Sequence, residues 1–225
     1  MIRFYFHHTP NPMKVALFLE ESGLPYELVP LDTFKGEQHS AEYRQINPNG
    51  KAPAIEDDGI RVFDSSAILL YLGDKIQRFI ATPQDRGELL SWLMFVATGL
   101  GPYSGQAVHF QRMATEQIPY AIQRYRYEAK RHYGVLDDHL TQRTYLVGDD
   151  YSIVDMAAWG WIDRAKVVLG EGELEKFEHL HRWFQLINSR PAVERARLLG
   201  KDHDFKSTFD EEVRQHFFRH LYVEA

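Results

Sequence analysis

The sequence predicts a small α/β domain over residues 1–76, a linker over 77–84 and an all-helical domain over 85–225. Three observations carry this. Strand-like and helix-like runs alternate through the first eighty residues in the order βαβ, α, ββα. The pattern lapses over residues 75–84, which hold Thr82-Pro83. Beyond that point no run reads as a strand.

Each element has a local reason. Ile2 to Phe6 is rich in β-formers and ends in the polar, proline-bearing His7-His8-Thr9-Pro10-Asn11-Pro12. Val15, Leu17, Phe18 and Leu19 with Glu20 and Glu21 read as a helix stopped near Ser22-Gly23. Tyr26 to Leu31 is a second strand after Pro25, and a βαβ unit makes the two strands parallel with a right-handed crossover. Ser40 to Gln45 is a short helix or turn. Ala54 to Glu56 and Ile60 to Phe63 flank Asp57-Asp58-Gly59, a hairpin signal. Ser66 to Leu72 opens the next helix with the run AILLYL.

In the second half, Arg86 to Thr98, Pro119 to Leu140, Ile153 to Leu169 and Glu175 to Asn188 read as helices. Ser152 with Asp155 fits a capping box, in which serine takes an orphan N–H and the acid reaches back. Ser189-Arg190-Pro191 ends a helix, because the residue before proline avoids the α region. In the charged, aromatic stretch after Gly200, Phe209, Val213, Phe217 and Leu221 recur every four residues. That spacing predicts an amphipathic terminal helix folded back on the body.

Composition narrows the function. Lys and Arg number 26 against 32 Asp and Glu, a formal charge of −6. Nucleic acid and anionic membranes call for clustered cations, so neither is the expected partner. The first residues, MIRFYFHH, lack a signal-peptide pattern, and the apolar stretch Leu89 to Leu100 is too short for a bilayer, which needs about 20 residues; a cytoplasmic protein is expected. There is no cysteine. Protein thiol nucleophiles, disulfides and thiolate metal sites are thereby excluded, and any sulfur chemistry must arrive on a substrate.

Three segments of the first domain could carry chemistry. Thr9 to Lys14 lies where a strand meets a helix N-terminus, with its free N–H groups and positive dipole end. A threonine hydroxyl and an asparagine amide there can donate to an anion, or simply cap the helix. In Lys51-Ala52-Pro53-Ala54-Ile55, proline at the start of a strand lacks the N–H for the ladder. A cis Ala52-Pro53 bond would resolve this and leave the Ala52 N–H and C=O free to pair with a peptide; a trans turn is the plain alternative. In Phe63-Asp64-Ser65-Ser66, again a helix start, Asp64 or Ser65 can cap. The same pair could hold a zwitterion, serine on its carboxylate and aspartate on its ammonium.

Together and in this order, with YSIVDMAAW in the helical half, these segments resemble the glutathione transferases over roughly residues 1 to 200. The start FxxTPNPMKVALFLEE, Lys35-Gly36-Glu37-Gln38, Asn47-Pro48-Asn49-Gly50-Lys51 and Ile118 to Tyr125 resemble the Nu class, bacterial glutathione-dependent disulfide-bond oxidoreductases. The resemblance implies a thioredoxin-like glutathione-binding domain followed by the helical one, and a homodimer. It implies glutathione as co-substrate, small disulfides as partners and no metal. Thr9 and Asn11 match the sulfur-stabilising pair. Ala52 matches the residue whose backbone pairs with the cysteinyl unit, with Pro53 cis. Asp64 and Ser65 match the acid-serine pair at the γ-glutamyl end, and Gln38 and Lys51 match positions near the glycine end. Arg124 matches a helical-domain arginine that closes over glutathione. Asp64 stands where glutamate is commoner, and Ala52 where a larger aliphatic is usual.

Elementary chemistry agrees. A free thiol has a pKa near ~8.5, and donors that favour the anion lower it. The thiolate of one glutathione can then attack a disulfide sulfur. Glutaredoxins share the first domain's topology but need a cysteine. Tyr5, inside the first strand, reads as packing. His7 and His8 are neighbours in an extended segment and point to opposite sides, which prevents joint ligation. His216 and His220 have the i, i+4 spacing of a metal pair but no completing carboxylate, and read as surface histidines. Arg124, Arg126, Lys130 and Arg131 otherwise read as a solvated face. The rival functions are a conjugating transferase or peroxidase using the same thiolate, and a non-catalytic binding module of the same fold.

Overall fold

In the computed structural model, which describes residues 1–218, four strands form one sheet in the order β2-β1-β3-β4. They are β1 (Ile2–Phe6), β2 (Tyr26–Pro30), β3 (Ala54–Asp57) and β4 (Ile60–Phe63). β1 and β2 run parallel, Phe4 beside Leu28, joined by α1 (Pro10–Ser22). β3 lies antiparallel to β1 and to β4. The hairpin between them turns at Asp58 and Gly59, both at positive φ (48° and 88°), the twist that matches paired strands. α2 (Ala41–Ile46) is capped by Ser40, whose hydroxyl accepts from the Tyr43 N–H. α3 (Ser65–Ile76) completes the α/β half.

The helical half holds α4 (Arg86–Phe95), α5 (Gly101–Val108), α6 (Pro119–His139), α7 (Ile153–Ile162), α8 (Ala165–Val168), α9 (Glu178–Asn188) and α10 (Pro191–Leu198). The expected capping box is present: Ser152 and Asp155 satisfy each other's ends of α7. Asp155, fully buried, also accepts from the Leu146 N–H at 3.0 Å and the Trp183 indole at 2.8 Å, tying α7 to α9.

Two readings needed correction and a third, which held, is extended. The helix beginning at Arg86 does not stop near Thr98; wide π-type turns at Val96–Leu100 and His109–Met113 carry it past Gly99, Gly101, Pro102 and Gly105. These glycines make room rather than end the helix. A methyl on Gly99 would sit 2.4 Å from His132 Nε2, and one on Gly101 2.9 Å from Trp161 Nε1. Ile153 to Leu169 is two helices, broken after Ile162. Pro191 ends one helix and also starts another, at the N1 position where its missing N–H costs nothing.

α1 lies between the sheet and α7. Its apolar side chains, Val15, Leu17, Phe18 and Leu19 among them, share a core with Phe4, Phe6, Leu69, Trp159 and Trp183. The chain after α10 folds back as expected, over the end of the sheet where β1 leads into α1. Phe205 packs on Phe6 and His7, the Lys206 N–H donates to Asp32 Oδ2 at 2.7 Å, and Phe209 and Phe217 meet Phe34. The terminal helix, α11, spans Glu211–Phe217 and is capped by Asp210. Leu221 and His220, with which the sequence extends that helix, lie outside the described residues.

Candidate active site

α1 begins at the carboxyl end of β1, and Thr9 is its N-cap residue (φ −123°, ψ 161°) without a side-chain cap bond. Capping therefore does not occupy the Thr9 hydroxyl, which makes no hydrogen bond among the described residues. The expected cluster of free N–H groups is thinner than the helix start suggests. Pro10 and Pro12 remove two of them, and the Met13 N–H is spent on the Thr9 carbonyl at 3.2 Å. Of the first four helical residues, only Asn11 keeps a backbone N–H to offer outward. Side-chain donors matter more at this helix than the dipole end alone.

Asn11 is held by a residue that sequence reasoning missed. The Trp161 indole N–H donates to Asn11 Oδ1 at 3.1 Å. Indole nitrogen is donor only, so the bond decides which end of the amide faces which way: the oxygen faces Trp161 and the NH₂ group is left to the cavity. Trp161 reaches Asn11 because Gly160 lets α7 sit directly on α1. A methyl there would lie 2.5 Å from Lys14 Cγ and 2.7 Å from the Pro10 carbonyl oxygen. No local signal in the sequence marks this contact.

The Ala52-Pro53 peptide is cis. Ala52 precedes β3, and its N–H and C=O make no hydrogen bond among the described residues. The loop before it is held by the Lys51 carbonyl, which accepts from Tyr43 OH at 2.8 Å and Asn47 Nδ2 at 2.6 Å. Asp64 does cap α3: its Oδ1 accepts from the Ser66 and Ala67 N–H groups at 2.9 and 3.2 Å. It does so at φ 71°, where a non-glycine residue costs on the order of 1–3 kcal/mol and is kept only when its surroundings demand it. Its second oxygen makes no hydrogen bond among the described residues, so capping and ligand holding are compatible. Ser65 is buried beside it.

Thr9, Asn11, Gln38, Lys51 and Ala52 line one wall of a cavity of about 870 Å³; Phe110, Trp161 and Arg164 face them from the helical half, and His216 to Phe218 form the outer wall. That volume lies near the upper end of the ~300–1,000 Å³ usual for small-molecule sites. Gln38 is buried, and its Oε1 has no hydrogen-bond partner among the described residues. An adjoining cavity of about 320 Å³ runs past Asn11 and Lys51 to Lys14, Asp64 and Ser65. Arg124 lines neither: it lies on the exposed side of α6, its guanidinium 2.8 Å from Glu128.

The remaining candidates are structural. Tyr5 donates to Glu56 at 2.7 Å, and burial with that bond pushes its pKa up to about 12. His7 is buried against Leu31 and Thr33, whereas His8 meets Phe6 edge-to-face. No group of three or more His, Asp or Glu able to hold a metal occurs among the described residues. No helix among them is long and apolar enough to cross a membrane.

A thioredoxin-like sheet with a cis-proline before its third strand, joined to a helical domain across this cleft, defines a class of protein. The chain belongs to the glutathione S-transferase family: residues 2–74 match its N-terminal domain and residues 106–191 its C-terminal domain. Among curated proteins it is 40% identical over 218 residues to the disulfide-bond oxidoreductase YfcG of Escherichia coli, covering 92% of this chain and 99% of the relative. Among solved structures it is similar to the glutathione transferase URE2P8 of Phanerochaete chrysosporium with oxidised glutathione (TM-score 0.84, 33% identity, 89% of this chain and 95% of that one). It also resembles a Pseudomonas fluorescens family member with two glutathione molecules bound (TM-score 0.82, 37% identity, 87% and 91%).

Proposed function

We propose that this protein is a cytosolic, homodimeric disulfide-bond oxidoreductase of the Nu type that reduces small disulfides with two glutathiones. The γ-glutamyl end lies at Asp64 and Ser65, the cysteinyl backbone pairs with Ala52, and Gln38 and Lys51 take the glycine end. The sulfur then sits before Thr9 and Asn11. Their O–H and N–H donate to the thiolate, which lowers its pKa and holds it as the nucleophile. It attacks one sulfur of the disulfide; a new S–S bond forms, and the other sulfur leaves as a thiolate that takes a proton. The thiolate of a second glutathione attacks the glutathione sulfur of this mixed disulfide, yielding oxidised glutathione and the second thiol. Two glutathiones are oxidised for each disulfide reduced, and no protein sulfur takes part.

The observation that carries this reading is the Asn11 amide, turned toward the cavity by Trp161 beside an uncommitted Thr9 hydroxyl. Neither group can accept a proton at neutral pH, so the pair suits an anion that is already sulfur-based. The cavity volume of about 870 Å³, near the upper end for small-molecule sites, supports binding of more than one small molecule. The relative named as a disulfide-bond oxidoreductase and the similar structures that hold oxidised glutathione or two glutathiones support the same chemistry. The test is turnover of a small disulfide, an aryl halide and a hydroperoxide, side by side with glutathione. The disulfide is expected to turn over fastest, with one oxidised glutathione formed per disulfide consumed. Faster turnover of the halide or the hydroperoxide would make the protein a conjugating transferase or a peroxidase, and no turnover of any would make it a binding module.

A further inference from the structure

Lys14 is the fifth residue of α1, and its side chain is buried in the molecule. It is only 2% exposed. Gly160 packs against its stem, where a methyl would lie 2.5 Å from Lys14 Cγ. Its ammonium stands 3.4 Å from Ser65 Oγ, and no carboxylate lies within ion-pairing distance of it among the described residues. A buried ammonium without a partner is costly, and a core position next to Leu17 and Phe18 would be more stable with an apolar side chain. Burial accordingly pulls its pKa down to about 8, against the opposing charge of Asp64. Lys14 lines the smaller cavity, together with Asp64 and Ser65.

Resting on the glutathione reading above, we propose that Lys14 is the counter-ion for the α-carboxylate of the γ-glutamyl group, reached through the floor of the site beside Ser65. The hydrogen-bond directions support this. Lys14 donates to Ser65 Oγ, so the Ser65 hydroxyl must turn its own hydrogen elsewhere, and the cavity is the open side. A carboxylate there receives Ser65 O–H and the Lys14 charge together. The free oxygen of Asp64 takes the neighbouring ammonium. One α-amino acid head is then read by a cation and an anion on the two sides of Ser65.

The test uses S-methylglutathione, whose blocked sulfur leaves Thr9 and Asn11 out of the measurement, and its analogue with the γ-glutamyl α-carboxyl converted to a primary amide. Calorimetric affinities are taken for the wild-type protein and Lys14→Met. Wild type is expected to prefer the acid by about ten- to hundredfold, the worth of one charge-assisted bond. Lys14→Met is expected to lose most of that preference while its ligand-free melting temperature stays level or rises. A purely structural lysine would lower the melting temperature and leave the acid-to-amide ratio unchanged. Equal wild-type affinity for acid and amide overturns the assignment even if Lys14→Met cannot be prepared, as does undiminished preference in the variant. Failure of wild type to bind S-methylglutathione at all would instead sink the glutathione reading, and this assignment with it.

Discussion

Asn11 owes its usefulness to Trp161. An unrestrained amide offers either end to a ligand; this one is sorted by an indole 150 positions away. Each donor that favours the thiolate by one pKa unit is worth 1.36 kcal/mol, about tenfold. Thr9→Ala and Asn11→Ala are each expected to lower disulfide turnover by about tenfold, and the double change by about a hundredfold, with the pH profile moved upward. Glutathione affinity should stay within several-fold, since Ala52, Asp64 and Ser65 still hold the peptide. Trp161→Phe keeps the ring and removes the N–H, so it should cost less than Asn11→Ala. Wild-type turnover and an unshifted profile in the double variant would place sulfur activation elsewhere. On the proposed reading Asp64 carries two duties, one oxygen capping α3 and the other holding the ligand. Asp64→Asn keeps the capping oxygen and tolerates positive φ, and should cost little stability but about tenfold or more in affinity, the loss of a ~1.5–3 kcal/mol charged contact. Asp64→Ala should add about 1 kcal/mol of lost cap. A lower melting point with unchanged affinity would leave Asp64 a cap alone.

At the scale of elements, the segment after α10 is held to the sheet end through His7. His7 Nδ1 lies 3.0 Å from the Thr33 N–H, from which it accepts when unprotonated, and 3.1 Å from the Leu31 carbonyl oxygen, to which it donates when protonated. Phe205 covers the same ring. Burial lowers the His7 pKa, outweighing the hydrogen bond to the Leu31 carbonyl and the pull of Asp32 at 3.7 Å. The unfolded chain therefore binds the extra proton more readily than the folded one. The sign follows: His7's contribution is intact above the unfolded value near ~6.5 and is lost as the pH falls below it, toward the lowered folded value. Thermal melts of wild type and His7→Gln between about pH 7 and 5 should show a shallower loss in the variant. Parallel slopes would mean that His7 carries no such linkage. The helix order, the capping box and the hairpin were readable because they depend on neighbours in sequence. The continuation through Gly99, Gly101 and Gly105 was not: glycine argues against a helix until His132 and Trp161 are seen to need its space.

For the whole molecule, the surface and the resemblance point the same way. The edge strand β4 exposes Ile60 (52%) and Phe63 (42%), and α4 exposes Leu90 (38%) and Met94 (45%). An unpaired edge strand and exposed large apolar side chains are surfaces that proteins usually cover. Sedimentation at micromolar concentration should give one species of about twice the 26.3 kDa chain. A single 26.3 kDa species would refute the dimer. Arg124, paired with Glu128 outside both cavities of its own chain, would then have no route to glutathione through a second subunit.

By itself the sequence determined that the chain carries no cysteine thiol and that an α/β unit precedes a helical one. These follow from residue identity and short-range spacing; that a donor pair, a proline and an acid-serine pair share one site was what the resemblance implied. The tertiary structure alone decided which end of Asn11 faces the cavity, that Lys14 is buried beside Ser65 without a carboxylate partner among the described residues, and that the last of these residues wall the cavity. Hydrogen-bond direction and desolvation belong to neighbours in space, and the neighbours that matter here, Trp161, Gly160 and Phe217, come from the far end of the chain.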